Sequence, residues 1–303
     1  MMTKHRNPTH CLVAKIVVSL VFIAALPGGP ATASETTLTA LAEQTHFHGI
    51  AVDQADPSRI FLATHDGLFV LNHERAATRV STTTDDFMGF TPHPTDPAIL
   101  YGSGHPTGGG NLGFIVSTDG GKSWTKKANG VRGPVDFHQM TVSKADPLVV
   151  FGVSGGLQRS DDDGRSWRLV GPAPERLLSL AGSRNDANTL YAATQVGLLK
   201  SEDGGRSWEP SHSLRRPATA VHVTQFGDVF AFIVGVGLVQ TAETALKWRS
   251  VSNDFGQQVV LHIATDSTNA QNLYVVTMDP ETRAQSVLAS EDAGINWRPL
   301  GTD

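Results

Sequence analysis

The sequence has a single cysteine, Cys11, and it stands ahead of an apolar run instead of just after one, where a lipid-anchor cysteine would sit. The rest of the chain therefore has no disulfide and no thiolate metal site. Long hydrophobic runs are also missing. Ile16 to Leu26 is the longest, about eleven residues where a membrane-spanning helix needs about 20. With Lys4, Arg6 and Lys15 before it and Ala31-Thr32-Ala33 after it, this run reads as a secretory signal peptide over residues 1–33. The expected product is an exported, periplasmic or extracellular domain over 34–303, with no transmembrane segment.

Positive charge is scarce as well. Lys and Arg number 24 against 29 Asp and Glu, and the signal removes only basic residues, leaving a net charge of about −8. That balance excludes a nucleic-acid footprint, and no block of like charge is long enough for a tail or a polybasic anchor. No amphipathic pattern of helical length follows the signal, which points to an all-β chain.

Tryptophan is also sparse, with only five copies, and all five fall at one point of a repeating phrase. Ser117-Thr118-Asp119-Gly120-Gly121-Lys122-Ser123-Trp124 returns as Ser160 to Trp167, Ser201 to Trp208 and Ser290 to Trp297, each reading Ser-x-Asp-x-Gly-x-x-Trp. A worn copy, Thr241 to Trp248, keeps the tryptophan and places Glu243 at the aspartate position. A period of about 40 to 45 residues marks a propeller or solenoid. A second signal agrees: Phe61, Tyr101, Phe151, Tyr191, Phe230 and Tyr274 each follow aliphatic residues, as buried strands require. Asp56-Pro57, Asp96-Pro97 and Asp146-Pro147 supply turn chemistry upstream of three of these aromatics.

Each unit thus reads as strand, turn, strand, Gly-rich turn, strand, phrase, strand. Six such units predict a six-bladed β-propeller, with blades at about 45–82, 83–131, 132–173, 174–214, 215–253 and 254–303. A seventh blade stays open if the lead-in pairs with the end of the chain. Within the phrase, Asp119, Asp162, Asp203 and Asp292 should accept backbone N–H groups across their turns, and Trp124, Trp167, Trp208 and Trp297 should pack into the blades.

The phrase is the Asp-box, or BNR repeat, and the chain resembles Asp-box propellers of the sialidase-like superfamily, which include sortilin-type receptors, xyloglucanase-type glycosidases and photosystem assembly propellers. It is most similar to secreted bacterial single-propeller proteins labelled glycosyl hydrolase or exo-sialidase. That likeness is carried by His46-Phe47-His48-Gly49, Ala63 to Leu68, Phe87 to Phe90, Ser103 to Pro106 and Asp136 to Met140. In such families the box lies at the blade periphery, away from the active site. A sialidase's arginine triad and tyrosine nucleophile are not recognisable here, because the tyrosines belong to the strand pattern and Arg159, Arg165 and Arg206 lie in or beside boxes. No Gly-x-Ser-x-Gly elbow occurs.

The residues that break the repeat are more telling. Aligning the first strand of each blade by its turn puts His48, Met88, His138, Leu178, Val221 and Leu261 in one column, with His46, Asp86, Asp136 and Arg176 two residues earlier on the same face. Second-strand ends give His65, His105, Gln195 and Met278. The expectation is a metal site formed by His46, His48, His65, Met88, His105 and His138, with Asp66, Asp86, Asp136 and Met278 as further ligand-binding residues, at the channel mouth of blades one to three. Imidazole and thioether donors without thiolate favour copper, with zinc second. The alternatives are a glycoside hydrolase using a carboxylate pair in the same mouth, and a scaffold docking a protein partner on a propeller face; the chain is expected to act as a monomer. The insertion Gly104 to Leu112 is too glycine-rich to pack and reads as a hairpin loop or a flap carrying His105.

Overall fold

The computed structural model describes Met1 and residues 35–72 and 76–301, so the signal segment and His73 fall outside the described residues. The described fold lies within the compact unit Ala33–Asp303. Its one helix, Leu38–Gln44, is capped by Thr37, whose hydroxyl accepts the Ala40 N–H at 3.2 Å. No helix among the described residues is long and apolar enough to cross a membrane.

The remaining regular elements among the described residues are strands. The inner strands are Phe47–Val52, Thr91–Pro92, Gln139–Val142, Leu177–Gly182, Ala218–Val223 and Val259–Thr265, each the start of an antiparallel sheet in chain order. Each inner strand packs on the next, and the last packs on the first, so six blades close a ring. The lead-in does not make a seventh blade. Glu35–Thr37 pairs with Ala76–Arg79 as a fifth, outermost strand of blade one. The helix then packs Leu38 and Leu41 into a cluster shared with Phe47, Ile50 and Leu62 of blade one and Val276 and Val287 of blade six. Alternating apolar residues on the other blades fill similar seams.

Four Asp-boxes keep the geometry read from the sequence. In the box ending at Trp124, Asp119 accepts the N–H groups of Lys122 and Ser123 at 3.1 and 3.0 Å, and the indole N–H donates to Gly121 O at 3.0 Å. The same indole bond recurs at Trp167, Trp208 and Trp297. The worn box has changed employment. Glu243 turns away to accept Arg184 N–H and the Asn185 amide of blade four, and Trp248 donates to Ser211 O instead. Tyr101 does the reverse across another seam, donating its hydroxyl to Asp163 in the box of blade three.

The inner strands carry a recurrent irregularity that decides what faces the channel. Phe47 opposes Thr64 and Gly49 opposes Ala63, leaving His48 unpaired in a bulge. Leu178, Thr219 and Leu261 are left unpaired in the same way. A bulge interrupts the alternation of faces and re-aims the extra side chain. The column predicted to contain Val221 therefore contains Thr219, and Val221 is a buried residue of the blade core. The alignment slips because the turn of blade five is built on Thr224, whose hydroxyl accepts Phe226 N–H, with Gly227 where the other blades have an acid or an amide.

Candidate metal centre at the channel mouth

Blade two has a broken inner strand, and the break builds the site. Asp86–Phe87 leaves the main sheet to pair with Gly104–His105, Asp86 opposing His105 and Phe87 opposing Gly104. Gly104 has φ +135°, and a Cβ there would lie 1.9 Å from Asp86 O, so only glycine permits this approach. Directly opposed residues project on the same face. The pairing therefore sets the Asp86 carboxylate and the His105 imidazole side by side.

Two groups of three ligand atoms result. In the first, His65 Nδ1 is 2.9 Å from Asp86 Oδ2, and His48 Nε2 lies 3.1 Å from His65 Nε2 and 3.8 Å from Asp86 Oδ1. In the second, Asp136 Oδ2 is 2.5 Å from His138 Nε2 and 3.1 Å from His105 Nε2. Within each group all ligand atoms lie within 4.8 Å of one another. Four of the six expected metal residues, His48, His65, His105 and His138, are thus divided between two His-His-Asp triads, each completed by an aspartate expected among the further ligand-binding residues. His46 and Met88 stand beside these triads without joining them. The His46 ring lies tilted at 54° to that of His65, with centroids 5.6 Å apart, and Met88 lines the channel next to His48 and His138.

The carboxylates are held in an unusual state. Asp136 is only 9% exposed, yet its Oδ1 accepts no hydrogen bond from any described residue, and Asp86 Oδ1 is likewise buried without a hydrogen bond, with His48 Nε2 at 3.8 Å. Buried acceptors are normally satisfied. On the histidine side, His105 Nδ1 is 2.9 Å from Gly110 O, a contact that requires the proton on Nδ1 and leaves Nε2, the nitrogen facing Asp136, to hold either a second proton or a metal ion. The Gly110 bond, helped by the nearby carboxylates and opposed by burial, raises the affinity of His105 for a proton. Burial and the neighbouring His65 hold His48 down to about 4, against the pull of Asp86, so His48 is a neutral imidazole at pH 7.

The loop that supplies Gly110 is anchored at its stem. Thr107 N–H donates to Asp85 at 3.1 Å, Leu112 N–H to Gly104 O at 2.8 Å and the Asn111 amide to Pro134 O at 3.1 Å. A Cβ added at Gly108, Gly109 or Gly110 would meet nothing within 4 Å, so the tip is open while the insertion presents and orients His105 from a fixed base. Asp66 is exposed in the turn after His65, where its N–H donates to Thr64, and it does not line the mouth. Met278 does line it, in a cavity of about 650 Å³ that also takes in His46, His48 and His138.

Several residues of this cavity escaped the sequence reading: Thr219, brought in by its bulge, together with Arg283, Gln285 and His262. His262 follows the bulged Leu261, and burial holds its imidazole down to about 4, with a backbone bond at Phe47 opposing. Below the mouth the channel narrows past His222 and Lys144, where burial lowers the lysine to about 8. At the far end, Gln225 of blade five donates to Pro94 O of blade two at 2.6 Å, a bar across the ring.

Residues 115–126 match the BNR/Asp-box repeat family. No curated protein matches the chain in sequence. Among solved structures, the xyloglucanase of Xanthomonas campestris is similar with a TM-score of 0.59 and 19% identity over 84% of this chain and 45% of its own. A related enzyme of the same glycoside hydrolase group from Niastella koreensis gives 0.60 and 14%, over the same shares. This chain therefore spans less than half the length of either enzyme. YCF48 from Cyanidioschyzon merolae gives 0.53 and 16%, over 89% of this chain and 90% of that one. At such identities these likenesses speak for the fold, and with the repeat match and the six closed sheets they make this chain a β-propeller built on BNR/Asp-box repeats.

Proposed function

We propose that this is an exported metal-binding propeller that holds a divalent transition metal at each of the two triads, His48–His65–Asp86 and His105–Asp136–His138. The observation that carries the reading is Asp136. Its carboxylate touches two imidazole nitrogens while its other oxygen is buried without a donor, and one of those imidazoles is fixed by Gly110 with Nε2 facing the carboxylate. Lone pairs facing one another this closely need a proton or a metal cation among them, and a metal would also satisfy the buried second oxygen. Three protein donors also leave coordination positions open to water or a bound ligand.

Two imidazoles and a carboxylate suit copper(II) most strongly by the general affinity order, with zinc next. Met88, beside His48 and His138, offers a thioether to copper in its reduced state. The glycoside hydrolase reading would use Asp86 and Asp136 as acid and base, but each is already bracketed by histidines.

Titration of chelator-stripped protein with copper(II) or zinc(II), followed by calorimetry, tests the proposal. Two equivalents are expected. His65→Ala should abolish one and His138→Ala the other, each leaving its neighbour. Absence of stoichiometric binding of either metal would overturn the reading, as would binding that survives both substitutions together.

A further inference from the structure

The channel mouth has a second half to which the metal chemistry assigns no task. Across from the histidines, Leu178, Val259, Leu261 and Met278 turn half-buried apolar side chains into the same cavity of about 650 Å³. That volume falls within the range of small-molecule sites. Leu178 and Leu261 are bulge residues, so each stands where the backbone departs from regular pairing to aim it inward. A propeller strand has no packing need to point leucine at its own channel, because the seams between blades already bury the apolar core.

The charge of the cavity is equally lopsided. Its lining contains no aspartate or glutamate, and Arg283 is the single Lys or Arg. Arg283 is placed by a rigid turn. Asp279 accepts the N–H groups of Glu281 and Thr282 at 2.8 and 2.9 Å, and its carbonyl accepts that of Arg283 at 2.9 Å. Arg283 itself takes φ +66°, a conformation costly for a residue with a Cβ. Gln285, two residues on, ties this turn to blade one by accepting Phe47 N–H at 2.6 Å.

We propose that the mouth binds a small amphiphilic anion, an aliphatic or aromatic carboxylate of medium size, with its apolar body against Leu178, Val259, Leu261 and Met278 and its anionic head at Arg283. The site stands on the lining of the cavity and does not depend on a metal. His48 and His138 line the same cavity, so metal loaded at the triads would add a second attraction for an anion bound there.

The test is calorimetric titration of straight-chain carboxylates from butanoate to octanoate into metal-free and metal-loaded protein. In both, the dissociation constant should fall about fourfold for each added methylene until the cavity is filled. Arg283→Gln should weaken every member of the series alike and keep the slope. Leu261→Asn should flatten the slope, and Met278→Gln provides the same readout if the first variant folds poorly. Primary alkylamines of equal length should bind at least tenfold more weakly. A flat series in the wild type, a slope unchanged in both cavity variants, or amines binding as well as acids would overturn the proposal. Failure of the metal reading would instead leave the chain-length slope intact while the metal titrations stay blank.

Discussion

At the scale of single residues, Asp136 tells a structural role apart from a binding one. A buried acceptor without a donor costs stability, of the order of 1–3 kcal/mol for a side chain of this kind, and a fold has no reason to keep one unless something else satisfies it. Asp136→Asn retains the shape and gives the buried position a donor. In chelator, the variant should unfold at the same temperature as the wild type or slightly above it. With copper at a hundredfold excess over its dissociation constant, the wild type should gain about 2.7 kcal/mol from that site, while the variant gains nothing from it. Thermal unfolding followed with and without metal reads both arms. Loss of stability in chelator would mark Asp136 as a structural residue. The identity of Asp136 and its histidines was legible in the sequence, because they interrupt a regular repeat. Their division into two triads was not, since it depends on how Gly104 lets two short strands approach.

At the scale of elements, the repeat was legible for a physical reason: each Asp-box is a closed local network whose bonds run between residues at most four apart. Such a network leaves a fixed spelling in the sequence. The bulges leave none, because unpairing Leu178 or Thr219 is decided by the neighbouring strand and not by the residue itself. The same locality makes the boxes acid-sensitive. The Ser123 hydroxyl and N–H hold Asp119 down to about 2, and the Ser166 hydroxyl and N–H do the same for Asp162. Asp203 and Asp292 are shifted in the same direction, by Ser207 and Asn296. A carboxyl depressed by folding stabilises the native state fully above its unfolded value near 3.9, and that contribution is lost as pH falls towards the folded value. The urea midpoint should therefore hold steady from pH 7 to about 5 and fall steeply between about 4 and 2. Asp119→Asn with Asp162→Asn should lower the midpoint at neutral pH and make its decline with acid shallower. An unchanged acid profile in the double variant would show that groups outside these two boxes govern it.

At the scale of the whole molecule, closure is the problem a ring must solve, and here it is solved without exchanging a strand between the first and last blades. Blade six completes its own sheet with Arg298–Pro299, and blade one completes its own and adds Glu35–Thr37 at the edge. What joins them is the apolar cluster around Leu38 and Leu41, helped by the Phe47–Gln285 bond. The short helix thus acts as a clasp, and its helical propensity matters less than the two leucines it delivers, since seven residues are too few to be stable alone. Leu41 is 2% exposed. Leu41→Ala should cost about 2–5 kcal/mol, the range for a large side chain removed from a packed core. Denaturation followed by tryptophan fluorescence measures it, because the five indoles are spread over blades two to six and report on the whole ring. A cost within that range in one cooperative transition would mean that opening the seam releases the whole ring. A cost below about 0.5 kcal/mol, typical of surface substitutions, would show that the blades hold one another without the clasp.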